Sequence, residues 1–227
     1  MTDKLPVIEL HSELNSKLWD DDNQLRPEVN VALLRIAKEF YQFLEFDAPL
    51  MDVQITGSQA NYNYTDLSDI DLHLIVPFKD VSCDEPVEDL FDTKRKLWKL
   101  RHDINIHNIP VEVYVEDEDK PVNGSTYSLL KDQWLHKPEK RIAHWDEGEV
   151  SEQTIEWLKD IKEAVASQDL ETVEGVIDML RNYRQQGLKI SGEFGTPNLV
   201  FKNLRNLGAV GILMQSKVKL TDISLSI

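Results

Sequence analysis

The chain has 227 residues, 41% of them apolar and 29% charged, which suits one large domain or two small ones. Acidic residues outnumber basic ones 41 to 25, for a net charge of −16. Such a surface repels nucleic-acid phosphates and argues against a processive enzyme on long DNA, while nucleotides, small molecules, protein side chains and RNA ends remain compatible with it. No apolar run approaches the ~20 residues that span a bilayer. The opening residues lack the basic-then-apolar profile of a secretory signal, and the single cysteine, Cys83, excludes an internal disulfide framework. A cytoplasmic protein with no membrane partner is the expectation.

Residues 1–25 are polar, with Leu14, Leu18 and Trp19 interspersed, and Asp20-Asp21-Asp22 reads as a solvated loop. A helix is predicted from Pro27, because proline suits a first turn and Val29, Leu33, Ile36, Phe40, Phe43 and Leu44 recur at helical spacing. Pro49 lies beyond its end. A strand from about Asp52 to Thr56 stops at Gly57-Ser58. After a polar stretch, a second strand covers Ile70 to Val76, with Asp69 and Asp71 at its start.

A loop through Asp80–Pro86 leads to a helix over Val87 to His102, whose polar face carries Lys94, Arg95, Lys96, Lys99 and Arg101. Val111 to Val115 alternates as a strand, valines on one side and Glu112 with Tyr114 on the other. Glu116 to Asp119 reads as a solvated loop. Ser125 to Trp134 contains a candidate short helix. A helix opening near Ser151 runs through Gln168 with Ile155, Leu158, Ile161 and Val165 on one face. Another starts at Asp169 or Glu171 and stops at Gly187. Thr196-Pro197 opens a third that stops at Gly208, and Val210 to Leu220 reads as the last. The fold class expected is α+β: a small mixed or antiparallel sheet with flanking helices over 1–122, then a helical C-terminal region over 123–227.

The chemistry concentrates around the second strand. Residues i and i+2 of a strand share a face, so Asp69 and Asp71 project together with roots ~7 Å apart, opposite Ile70, Leu72, Leu74 and Val76. Two neighbouring carboxylates on an apolar strand repel, and a divalent cation with a preference for hard oxygen ligands, such as Mg²⁺, relieves that repulsion. Glu112 joins them as a third carboxylate if its strand pairs beside theirs at ~4.8 Å.

Gly57-Ser58, the spacer after it, and Asp69-Ile70-Asp71-Leu72 together resemble the signature of the nucleotidyltransferase superfamily, which has a polymerase-β-like fold. That likeness covers about Val53 to Glu116. A weaker likeness over the whole chain, through SDIDLHLIV, PVEVYV and NLVFKNLRNLG, is to nucleotidyltransferase-domain proteins of tailed bacteriophages. The resemblance implies transfer of a nucleoside monophosphate from a triphosphate such as ATP to an acceptor, with release of pyrophosphate. The acceptor is a small molecule, a protein or an RNA end. It further implies that Asp69, Asp71 and Glu112 are catalytic and hold two Mg²⁺ ions (Mn²⁺ being a substitute), while Gly57 and Ser58 hold the triphosphate at the start of a short helix through Tyr62.

Other residues carry weaker readings. Ser68 either orients Asp69 or caps a turn. His73 is a satisfied sheet histidine or a partner of the aspartates; Tyr114 and Tyr127 are packing residues or stack on a base. Lys202 and Arg205 are solvated or reach phosphates, and the Lys94–Arg101 cluster is a solvated face or steers an anion. A calcium loop on Asp66, Ser68, Asp69 and Asp71 lacks the glycine and distal glutamate of an EF-hand. The functional alternative is a catalytically silent nucleotide-binding or regulatory protein of the same fold.

Overall fold

A computed structural model describes residues 10–82, 86–121, 124–140 and 145–226; Cys83 lies outside the described residues. The chain divides into two compact units, one spanning Glu9–Lys140 and the other holding the C-terminal helices. Among the described residues no helix is long and apolar enough to cross a membrane.

The first unit contains helix α1 (Pro27–Leu44), strands β1 (Asp52–Thr56) and β2 (Ile70–Val76), helix α2 (Val87–Arg101), and strands β3 (Asn105–Ile106), β4 (Ile109–Asp117), β5 (Thr126–Ser128) and β6 (Gln133–His136). The strands form one mixed sheet in the order β3-β4-β2-β1-β5-β6, the expected α+β class. β2 lies antiparallel to β1 and parallel to β4. On β2, buried and half-buried residues alternate strictly: Ile70, Leu72, Leu74 and Val76 are fully buried, and Asp71, His73 and Ile75 face the other way. The buried side joins Val53, Ile55 and Val113 in a core with Phe40 of α1 and Phe91 and Trp98 of α2. Phe40 and Trp98 meet edge-on at 5.3 Å, a contact that ties the two helices together over the same face.

Helix α1 buries Val29, Leu33, Ala37, Phe40 and Leu44. The predicted Ile36 and Phe43 lie at the margin of this stripe, partly buried against the core. The acidic run forms an exposed turn in which Asp20 Oδ1 accepts from the Asp22 and Gln24 amides at 3.0 and 2.8 Å. Beside it, Leu14, Leu18 and Trp19 are buried.

The expected helix over Ser125–Trp134 is absent: these residues form the β5–β6 hairpin, which carries the sheet beyond the boundary read at residue 122. Its aromatic residues decide the outcome. Tyr127 is fully buried and packs edge-on against Trp19 and Trp134, each at 5.2 Å. Its hydroxyl donates to Asp132 Oδ1 at 2.9 Å across the turn. Asp132 itself takes the left-handed conformation at φ 51°, which a tight hairpin demands and an aspartate tolerates.

The second unit is helical: α3 (Glu147–Ser167), α4 (Leu170–Ser191), α5 (Thr196–Asn206) and α6 (Ala209–Leu225). α3 starts a turn earlier than Ser151, capped by Asp146, whose carboxylate accepts from the Glu149 amide at 3.0 Å. Its buried side is Val150, Thr154, Ile161 and Ala164, whereas Ile155 is exposed. Asp169 caps α4 through the Thr172 amide at 2.8 Å. α4 runs through Gly187 to Ser191 instead of stopping there. Gly187 is a contact point: a Cβ at this position would lie 2.3 Å from Pro197 Cβ, so its lack of a side chain lets α5 pack close. Gly208 separates α5 from α6 in the left-handed conformation, as expected.

Gly187→Ala is expected to destabilise the helical unit by ~1–3 kcal/mol through overpacking. Gly175→Ala, on the same helix in open space, should stabilise it by up to ~1 kcal/mol. Urea unfolding of the two variants beside the parent checks the opposite signs.

Candidate functional site

The polar face of the sheet follows from strand register. Asp71 pairs with Thr56 on β1 and with Glu112 on β4; His73 pairs with Gln54 and Tyr114. Paired residues of neighbouring strands project to the same side, so Asp71 and Glu112 stand side by side opposite the core, with His73 and Tyr114 in the next row. Asp69 immediately precedes β2 and is half-buried.

The Gly57-Ser58 bend is built against this row. Gly57 has φ 73° and ψ −159°, a region open to glycine and hostile to side chains. A Cβ there would lie 2.0 Å from Asp71 Oδ2, so the bend and the carboxylate are in direct contact. The expected helix from Ser58 to Tyr62 is a single turn, Ser58–Ala60, too short to supply a helix dipole. Any phosphate held here would depend on the backbone amides of the bend. Gln59 is buried and fixes the spacer: it donates to Ser68 O at 3.1 Å and accepts from Asn15 at 2.9 Å, and its carbonyl accepts from the Trp19 indole at 2.7 Å. Ser68 closes a turn, its hydroxyl accepting from the Thr65 amide at 3.0 Å.

Glu112 is already engaged. The Lys99 ammonium ion-pairs with its Oε1, and the Tyr114 hydroxyl donates to its Oε2 at 2.7 Å. Burial pushes the Glu112 carboxyl up, but these two hydrogen bonds, with the charges of Lys99 and Arg95, outweigh it and hold the group below the usual carboxylate range. Burial raises the Tyr114 phenol, reinforced by Glu112 and by Asp71 nearby, so Tyr114 remains a donor. Arg95 lies 5.0 Å from the Tyr114 ring centre and pairs with Asp92 at 2.6 Å. The basic helix face is thus divided: Lys94 and Lys96 pair with Glu45 and Asp92, Arg101 sits over Phe43, and only Arg95 and Lys99 reach the polar face of the sheet.

His73 is packed into the sheet face with only one of its ring nitrogens hydrogen-bonded among the described residues: Nδ1 is buried and makes no hydrogen bond. It hydrogen-bonds Thr56 Oγ1 at 3.0 Å, lies 3.2 Å from Glu116 Oε2 and stacks on Tyr114 at 4.8 Å. Glu116, read as a loop residue, belongs to β4 and meets Lys120 at 2.6 Å. Its contacts with His73 and Lys120 depress its pKa to about 2. Tyr127 is in the core, away from this face. A cleft of about 430 Å³ opens beside Arg95, Tyr114, Glu116 and Lys120, walled by Phe78 and Phe91. A second of about 210 Å³ lies over Thr56, His73 and Glu116.

Sequence reasoning missed Thr56, Lys99, Gln59 and Glu116. For Thr56 and Glu116, the alternation of their strands was the available signal. The donor chemistry of Asp69, Asp71 and Glu112 suits a hard cation, and register places the last two together. As built, though, the ammonium of Lys99 takes the cation position at Glu112, and among the described residues no group of three His, Cys, Asp or Glu side chains is arranged to hold a metal ion. A metal here requires Lys99 to leave, and its side chain, 65% exposed, has room to do so. Comparison of the chain with protein-family models, curated proteins and solved structures finds no match.

The Glu116 arrangement predicts a pH dependence. A carboxyl depressed from 4.5 to about 2 contributes stability above pH 4.5 that is lost as pH falls toward 2. Its side chain is 27% exposed, so after screening the contribution is ~1–2 kcal/mol. Urea unfolding of parent and Glu116→Gln should show the parent's advantage at pH 6 shrinking by that amount at pH 2.

Proposed function

We propose that the sheet unit is a Mg²⁺-dependent nucleotidyltransferase, transferring a nucleoside monophosphate from a triphosphate to an acceptor hydroxyl and releasing pyrophosphate. One observation carries the reading: Asp71 and Glu112 are paired on adjacent strands, with the Gly57 bend packed onto the Asp71 carboxylate. The gap between Gly57 and Asp71 leaves no room for a side chain, as expected where backbone must approach both a carboxylate and a phosphate.

In this reading Asp69, Asp71 and Glu112 hold the metal, which supplies charge neutralisation for the entering and leaving oxygens. The Gly57-Ser58 amides and the Ser58 hydroxyl bind triphosphate oxygens. Glu112, kept ionised by its environment, accepts a hydrogen bond from the acceptor hydroxyl and positions it for in-line attack. Tyr114 holds Glu112 in place by donating to its second oxygen. The 430 Å³ cleft beside Tyr114 has room for a small acceptor or the exposed end of a larger one.

The test is incubation with each α-labelled triphosphate, Mg²⁺ and pools of candidate acceptors. Label transfer is expected to fall at least ~10³-fold in Asp71→Ala, and Glu112→Gln should lose turnover while still binding triphosphate. Transfer at parental rate by Asp71→Ala would remove the proposal. The engagement of Glu112 by Lys99 favours a second reading, a nucleotide-binding protein without turnover; pyrophosphate release by the parent separates the two. Lys99→Gln frees the Glu112 carboxylate, so Mg²⁺ should bind ~3–10-fold more tightly, read from the Mg²⁺ dependence of the thermal midpoint.

A further inference from the structure

The helical unit contains an arginine whose charge has no acidic partner among the described residues. Arg184 of α4 is half-buried, and its guanidinium lies over the Phe201 ring of α5 at 4.3 Å. Its Nε donates to Asn198 Oδ1 at 3.2 Å. Asn198 is itself buried and locked by donating to the Glu193 carbonyl at 2.7 Å. The group is therefore fixed on one face and one edge, and among the described residues neither terminal nitrogen has a hydrogen-bond or ion-pair partner. Next to it stands a second cation. Arg205 follows Phe201 by four residues, one helical turn along the same side of α5, and it is exposed without a carboxylate partner among the described residues. Burial lowers the Arg184 pKa and Arg205 lowers it further by repulsion, with no compensating acid.

The chain carries a net charge of −16, and half-buried cations elsewhere in it, Lys94 and Arg95, each find a carboxylate. A planar guanidinium with one edge fixed and four N–H bonds unused is preorganised for a tetrahedral oxyanion, because the entropy of orienting it is already lost. Two adjacent unneutralised charges match a dianion better than a monoanion. We propose that Arg184 and Arg205 form a binding site for a phosphate monoester, with Arg184 as the fixed fork and Arg205 as the mobile second charge. The site lies wholly within the helical unit, and its test reads binding, not transfer, so it stands or falls separately from the sheet chemistry.

The experiment follows the Arg184 Nε resonance of the ¹⁵N-labelled full chain during titration with methyl phosphate at pH 8, at constant chloride ionic strength. Methyl phosphate is a dianion at this pH. A saturable shift with a Kd of ~1 mM or below is expected. Arg205→Gln, at an exposed position, should weaken binding at least ~10-fold, and dimethyl phosphate, a monoanion, should bind at least ~10-fold more weakly than methyl phosphate. Without phosphate, Arg205→Gln should be no less stable than the parent, since a repulsion has been removed; with methyl phosphate the parent's thermal midpoint should rise by more than the variant's. Absence of a saturable shift, or equal binding by Arg205→Gln, overturns the site, and equal binding of dimethyl phosphate overturns its assignment to a monoester.

Discussion

The parallel, in-register pairing of β2 with β4 is the constraint on which the sheet unit rests. Ile70, Leu72, Leu74 and Val76 are fully buried, and burial of each such side chain is worth ~1.5–3 kcal/mol. Two carboxylates ~5 Å apart at an effective dielectric near 20 repel by ~3 kcal/mol. The apolar side therefore decides the register, and Asp71 and Glu112 are carried along to the opposite face. A slip of one residue would exchange the two faces and drive Glu112 into the core beside Phe91 and Trp98. The juxtaposition of acids is a consequence of hydrophobic patterning that a different choice of residues at the two positions would have avoided.

The polar face then has to live with that charge, and it does so row by row. Glu112 is answered by Lys99 from α2 and by the Tyr114 hydroxyl. Glu116 is answered by His73 and Lys120. Asp52, buried on β1, accepts from Ser128 at 2.7 Å and from Gln54 at 3.1 Å. The two lysines among these partners, Lys99 and Lys120, are exposed, whereas Ser128 and Gln54 are buried. An exposed lysine contributes ~1 kcal/mol or less to such a pair and exchanges readily. A face neutralised this way stays open to a competing cation at modest free-energy cost, whereas a face closed by buried pairs would not.

The parts of this fold legible in the sequence were those where a single element buries one side. The alternation of β2 and β4 announced both the core and the displayed acids, and the caps at Asp169 and Gly208 marked helix boundaries. Misreadings arose where the deciding contact is distant in sequence. Ser125 to Trp134 reads locally as containing a short helix, yet Tyr127 is held in a strand by Trp19, more than a hundred residues earlier. The buried side of α3 is set by partners such as Asn203, which donates to Thr154 at 3.3 Å; local apolar spacing chose Ile155, which is exposed. Gly187 carries an ordinary stop signal whose meaning depends on Pro197 packing against it. At the candidate site, the carboxylates and the Gly-Ser bend were readable, but Lys99 was one of five cations on a helix face, and only its position beside β4 distinguishes it.

The cations of α2 and the Arg184–Arg205 pair meet opposite surroundings, and the difference bears on what each can recognise. On α2, Lys94, Arg95, Lys96 and Lys99 all have carboxylate partners, so the densest basic stretch of the sequence presents little net field. Arg184 on α4 and Arg205 on α5 stand in a sequence that offers acids freely, and yet no acid among the described residues pairs with them. Desolvating a guanidinium without a counter-charge is unfavourable, and its stack on Phe201 recovers only part of that, ~0.5–2 kcal/mol. A fold under no other demand would relieve this cost with an acidic residue opposite Arg184. Its persistence, with Asn198 buried to hold the group in one orientation, is the pattern expected when the missing charge is supplied by a ligand.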